Sequence, residues 1–177
     1  MDEHRVGLKP ILRRVWARRG QPLRAVVRPR YQWEYVYGCV APERGTTHGL
    51  LVPTVNTAAF SAALANFAHD QGVGPTKQIV LVLDGAGWHS GTAVRVPDGL
   101  HLVPLPPYSP ELQPAERLWP LVNEPLANRA FDSLAALDTV LGERCVYLAD
   151  HPELVRGYTA FHWWPRDSAV AEALTVT

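Results

Sequence analysis

Long hydrophobic runs are what this sequence most plainly lacks. In its 177 residues no apolar stretch approaches the roughly 20 needed to cross a bilayer. The opening Met1-Asp2-Glu3-His4-Arg5 has none of the apolar core of a signal peptide, so a cytoplasmic protein is the expectation. Cysteine is scarce too. Cys39 and Cys145 are far apart and neither has a second cysteine at CxxC spacing. That argues against a disulfide scaffold or a thiolate zinc site, and predicts two reduced, packed thiols.

Net charge is also missing: 17 basic and 17 acidic residues balance to +0. The balance is uneven along the chain. Residues 1–30 hold nine bases (Arg5, Lys9, Arg13, Arg14, Arg18, Arg19, Arg24, Arg28, Arg30) against Asp2 and Glu3, which leaves eight bases and fifteen acids for the rest. Two readings fit the basic front end. It is a phosphate-contacting surface, or its arginines lie on the wet face of strands and resist edge pairing. Charge alone does not name nucleic acid.

What is present describes a globular chain, with 47% hydrophobic and 19% charged residues and a length that suits one domain with a full core. Three β-rich stretches (Gly7–Trp16, Arg24–Val40 and Leu50–Val52), separated by turn signals at Arg19-Gly20-Gln21-Pro22 and Glu43-Arg44-Gly45, predict an antiparallel meander. Asn56 or Thr57 caps a helix over about 58–70, with Phe60, Ala63, Leu64 and Phe67 on one face and Gly72 at its end. The apolar run 78–83 predicts a strand buried on both faces, and Leu100–Leu105 another. Helical patterns return at about 114–127 and 133–148, and the tail from Pro152 to Asp167 is aromatic without clear period. The order predicts a mixed sheet flanked by helices.

Two acids stand in unusual frames. Asp84 ends the run Ile79-Val80-Leu81-Val82-Leu83 and opens onto Gly85-Ala86-Gly87-Trp88-His89. That is the carboxyl end of a central strand, where open α/β sheets place ligands; the bland alternative is an acid capping a turn. Glu116 follows the braced loop Leu105-Pro106-Pro107-Tyr108-Ser109-Pro110-Glu111-Leu112-Gln113-Pro114-Ala115. Pro114 suits a first helical turn. A lone Glu there is ordinarily a surface residue complementing the helix dipole, but the proline-rich frame argues for a site. Hard-oxygen ligands suit Mg²⁺ or Mn²⁺, and a pair of such ions about 4 Å apart clamps the attacking and leaving oxygens of a phosphodiester. Two carboxylates are a thin set for that chemistry, so a third acid is required.

Several neighbours carry two readings. His4 and His89 either approach the acidic site or are hydrogen-bonded structural residues. Trp88 and Trp119 read as core. Trp163-Trp164-Pro165 reads as a docked tail, Asp98 as part of a Pro97-Asp98-Gly99 turn, and Arg117 as a phosphate contact or a solvated side chain.

The stretch Leu81–Asp84 with Gly87-Trp88-His89, and then Leu105 through Glu116-Arg117-Leu118-Trp119, resembles the second and third acidic motifs of the DDE-superfamily transposases, in particular the mariner-related bacterial insertion-sequence group. Phe131-Asp132-Ser133-Leu134 extends the resemblance over nearly the whole chain. In that family the first aspartate ends the first strand and is followed by Glu, a pattern that Asp2-Glu3 matches. The resemblance implies Asp2, Asp84 and Glu116 as both catalytic residues and metal ligands, with Mg²⁺ or Mn²⁺, two ions, as cofactor. It implies a ribonuclease-H-like α/β fold, here with a truncated first strand, over residues 1–177 as a single catalytic domain.

The implied activity is cleavage and strand transfer of DNA, at transposon ends and target, with Arg13, Arg14, Arg18, Arg19, Arg117 and His89 as candidate DNA contacts. The family's helix-turn-helix modules have no counterpart in this sequence. They are expected from an upstream reading frame, and the completed protein is expected to be a homodimer associated with the nucleoid. Pro120 removes the hydrogen bond to the Glu116 carbonyl and predicts a kink or a short first turn. The competing expectation is a truncated remnant that only associates with, or inhibits, an intact transposase.

Overall fold

The computed structural model describes residues 1–21, 24 and 30–161. The expected Arg24–Val40 strand is therefore seen only in part, and the Trp163-Trp164-Pro165 tail lies outside the described residues. Strands β1 (Asp2–Gly7), β2 (Trp33–Ala41) and β3 (Thr46–Val52) form the antiparallel meander. The β2–β3 turn closes at Gly45, whose φ of 71° and whose approach to the Pro152 carbonyl leave no room for a Cβ. The first strand starts earlier than Gly7. Asp2 opens β1 rather than ending it, because ladder pairing with β2 runs on from Asp2↔Gly38 to Gly7↔Trp33. Beyond it, among the described residues, the stretch to Trp16 pairs through an isolated bridge from Ile11 to Ala127.

Helix α1 (Thr57–Gln71) starts where Asn56 accepts a bond from the Ala59 amide and stops at left-handed Gly72. Strands β4 (Ile79–Leu83) and β5 (Leu100–Pro104) pair in parallel. Val80 on β4 is 63% exposed, so this strand is not buried on both faces; it flanks a groove of about 570 Å³ that opens between the end of β2 and β4. The two sheets are joined where the Met1 amino group donates to the Val82 carbonyl at 2.6 Å.

No continuous helix spans 114–127. The chain makes a 3₁₀ turn at Pro114–Arg117, the short helix α2 (Trp119–Val122) and a second 3₁₀ turn at Glu124–Leu126. Each begins with a proline in its first two positions (Pro114, Pro120, Pro125), which enters a turn easily but breaks the ladder of the turn before. Helix α3 (Leu134–Ala149) follows, capped by the Ser133 hydroxyl on the Ala136 amide. The stretch after it holds a helix that the periodicity did not announce, α4 (Pro152–Thr159), begun by Pro152 and Glu153 and burying Val155 and Thr159.

Strand alternation distributes β2 to two cores. Val36, with Val6 and Leu8, packs against Leu118, Trp119, Leu121 and Val122 and then against α3 and α4. Tyr37 and Cys39 point the other way, onto Phe60 and Leu64 of α1 and Leu81 and Leu83 of β4. The result is a ribonuclease-H-like α/β sandwich, sheet between helices. Among the described residues no helix is long and apolar enough to cross a membrane.

Candidate active site

Three elements bring acids toward the junction of the two sheets. Asp2 opens β1 and is 8% exposed. Its Oδ1 accepts from the Glu3 amide at 2.8 Å and its Oδ2 from the Trp119 indole Nε1 at 2.7 Å. Burial raises the Asp2 pKa, the Trp119 and Glu3 donors offset part of that rise, and the Glu3 and Asp84 charges add to it. Trp119 reaches Asp2 because Gly38, the register partner of Asp2, has no side chain. A Cβ there would stand 2.5 Å from the indole ring.

Asp84 follows β4 and is exposed, its side chain at 52%. The Gly85-Ala86-Gly87 loop after it is open, with nothing near the glycine Cβ positions. Its Oδ1 accepts from the Ala86 amide at 3.2 Å and pairs with His89 Nδ1 at 2.8 Å. Glu116 sits, exposed, in the Pro114–Arg117 turn. Burial raises its pKa, and so do the charges of Asp2 and then of Asp84. Asp2 and Glu116 therefore both feel the charge of Asp84.

Donors drawn within 4.8 Å of one another form a different set among the described residues: Glu3, Asp84 and His89. Asp2 and Glu116 stand outside it. Glu3 is the residue sequence reasoning passed over. Adjacent strand residues face opposite ways, so Asp2 turns to Trp119 and Glu3 to His89. His89 Nε2 meets Glu3 Oε1 at 2.5 Å and Trp88 Nε1 reaches the same oxygen at 3.4 Å. Burial lowers the His89 pKa, but the Glu3 hydrogen bond and charge, with Asp84, outweigh it and raise the pKa overall. The Tyr37 hydroxyl, on the residue paired across from Glu3, is buried without a well-formed hydrogen bond; burial first and the Glu3 charge next push its pKa up.

Other expected residues fall variously. His4 is structural, bonded to Asn123 Oδ1 at 2.9 Å and stacked on Trp119 at 4.9 Å. Trp119 is core, as read, and Trp88 packs partly buried against the α1 side. Arg13 is exposed and donates to the Pro120 carbonyl at 2.9 Å, while Arg14, Arg18 and Arg19 are exposed. Arg117 lies 4.9 Å over the Phe161 ring. His89 does not fit as a DNA contact: it is 7% exposed and both ring nitrogens meet acids. Gln113 is a further omission. Buried, it donates to the Met1 carbonyl at 2.8 Å and ties the proline loop to β1.

The donor set suits a hard divalent cation: carboxylate oxygens from separate elements, with mutual repulsion already visible at Glu116. A sequence profile of the DDE superfamily endonucleases matches residues 1–138. The uncharacterized protein y4pE/y4sA of Sinorhizobium fredii (strain NBRC 101917 / NGR234) is 40% identical over 100 residues, 56% of this chain and 73% of that protein. Solved structures with the same fold include a pre-cleavage Mos1 transpososome, 20% identical with a TM-score of 0.58 over 92% of this chain and 55% of that one. The mariner Mos1 paired end complex with Mg is another, 22% identical with a TM-score of 0.57 over 92% and 55%. The chain spans about half the length of those solved proteins.

Proposed function

This chain belongs to the DDE superfamily endonucleases, and on that premise we propose that it is the catalytic domain of an insertion-sequence transposase. In this reading Asp2, Asp84 and Glu116 hold divalent metal, two ions of Mg²⁺ or Mn²⁺, and the domain cuts and joins DNA at transposon ends in the bacterial cytoplasm. The observation that carries it is the electrostatic coupling of Glu116, on a proline-braced turn, to Asp2 on β1 and Asp84 after β4. The three acids come from chain segments far apart in sequence, and the like-charge repulsion that raises the Glu116 pKa is one a bound cation would relieve.

Bound there, the metal supplies positive charge for the attacking water or 3′-OH and for the leaving oxygen. The chain's own residues do the rest. Trp119 and the Glu3 amide fix the orientation of Asp2. The Pro114–Arg117 turn, held to β1 through Gln113, sets the height of Glu116. Exposed Arg13, Arg14, Arg18, Arg19 and Arg117 offer phosphate contacts. Helix-turn-helix segments from an upstream reading frame would supply recognition of the terminal repeats, and a homodimer would pair two ends.

The Mos1 structures, in complexes with transposon ends and with Mn or Mg, support the reading by likeness of fold. The test is nicking of supercoiled plasmid by the purified chain with Mg²⁺ or Mn²⁺. Metal-dependent nicking that falls to background in Glu116→Gln is expected; equal nicking by that variant removes Glu116 from the chemistry. A wild-type chain that binds metal and never nicks favours the other reading, a remnant that acts only by association with intact transposase.

A further inference from the structure

Asp84 has a problem that Asp2 does not. Its side chain is half exposed, and the Gly85-Ala86-Gly87 loop beyond it makes no close contacts at either glycine. Packing therefore does not set the aim of its carboxylate, whereas a metal-binding oxygen must be held within about 0.5 Å. The residue that reaches it is His89, and His89 is anchored from the other side. Its ring lies 4.4 Å from that of Phe60 on α1 and 5.9 Å from Trp88, in the core. Its Nε2 is 2.5 Å from Glu3 Oε1 and its Nδ1 is 2.8 Å from Asp84 Oδ1 and 3.2 Å from the Asp84 carbonyl.

We infer that Glu3 and His89 are positioning residues that lock the Asp84 carboxylate, through the relay Glu3–His89–Asp84, into the orientation in which it takes a divalent cation. The inference rests on the metal-binding reading of Asp84 given above. Glu3 holds the imidazole, and the imidazole with the Ala86 amide occupies Asp84 Oδ1, which leaves Oδ2 as the oxygen directed outward. A carboxylate held through its second oxygen loses less rotamer freedom when it ligates. Asp2 has its own support on the opposite face of the sheet in Trp119, so the adjacent acids Asp2 and Glu3 do different work. Asp2 is fixed by Trp119, and Glu3 steadies the other strand's carboxylate through His89.

The test is calorimetric titration of Mn²⁺ into wild type, Glu3→Gln, His89→Asn and Asp84→Asn, with the melting temperature of each metal-free protein measured alongside. Wild type is expected to bind, Asp84→Asn to lose most of the affinity, and Glu3→Gln and His89→Asn each to weaken it about tenfold or more with a metal-free melting temperature near that of wild type. Adding Glu3→Gln to Asp84→Asn should then change nothing further, an outcome a merely structural role for Glu3 does not give.

If Asp84→Asn binds Mn²⁺ as wild type does, the metal reading of Asp84 fails. If Asp84→Asn loses binding while Glu3→Gln and His89→Asn keep it, that reading stands and the positioning relay is overturned. Should either relay variant fail to fold, the ¹⁵N-labelled His89 ring of wild type decides. Its resonances must move with Mg²⁺ at the same concentrations that saturate the site, and resonances that stay fixed overturn the relay.

Discussion

The indole Nε1 of Trp119 donates to Asp2 Oδ2 at 2.7 Å. This bond ties the opening residue of β1 to helix α2, which follows directly on the turn that carries Glu116. Two of the three acids are thereby placed with respect to each other by one side chain, and the edge of its ring sits against Gly38.

Trp119→Phe keeps the ring and removes the donor. A buried carboxylate that loses a hydrogen bond costs about 1.5–3 kcal/mol, so denaturant unfolding should show a loss of that size. Metal-dependent nicking should fall further than the stability loss explains, because Asp2 is then held by the Glu3 amide alone. Unchanged nicking in a folded variant would leave Trp119 a core residue only.

Gly38→Ala is expected to be worse than a surface glycine substitution. The new Cβ would stand 2.5 Å from the Trp119 ring, and an overpacked core site costs about 1–3 kcal/mol. The indole must move, and Asp2 with it. Equilibrium unfolding reads the first effect and Mn²⁺ affinity the second.

Glu34 on β2 and Asp138 on α3 give a pH dependence away from the site. Glu34 is 7% exposed, and each acid has one buried oxygen without another hydrogen-bond partner. Burial first, then the hydrogen bond to Asp138 and its charge, push the Glu34 pKa up to about 8, so Glu34 keeps its proton below that pH. The folded state keeps a proton that the unfolded chain releases in the ordinary carboxylate range. Stability must therefore fall as pH rises from about 4.5 to about 8 and level off above. Melting curves across that window should show the slope in wild type and a flatter profile in Glu34→Gln.

Much of this molecule was legible in its residues, for identifiable reasons. Helix α1 was bounded by an Asn cap and a glycine stop, and both work as written. The β2–β3 hairpin followed from its turn signal, whereas the first strand lies at Asp2–Gly7 and not over Gly7–Trp16. The stretch 114–127 was misread because its apolar spacing is helical while three prolines interrupt the ladder, and periodicity does not count donors. Helix α4 was missed because Val155 and Thr159 are its only buried residues, too few to make a pattern. Of the proposed metal ligands, Asp84 and Glu116 stood out by their frames, and Asp2 by family resemblance.

Glu3 and Gln113 did not stand out, and the causes differ. Glu3 was hidden by its neighbour: two acids in a row on a strand must part to opposite faces, a signal that strand alternation alone could have supplied. The Gln113 contact with Met1 joins residues 112 positions apart, and no local pattern encodes a contact of that kind.

The central claim is that Asp2, Asp84 and Glu116 together make one divalent-metal site. It is tested most directly by Mn²⁺ titration of wild type against Asp2→Asn, Asp84→Asn and Glu116→Gln, each checked for its fold. The account predicts binding by wild type that every one of the three substitutions weakens by about tenfold or more. Mn²⁺ affinity unchanged in any one folded variant would contradict it.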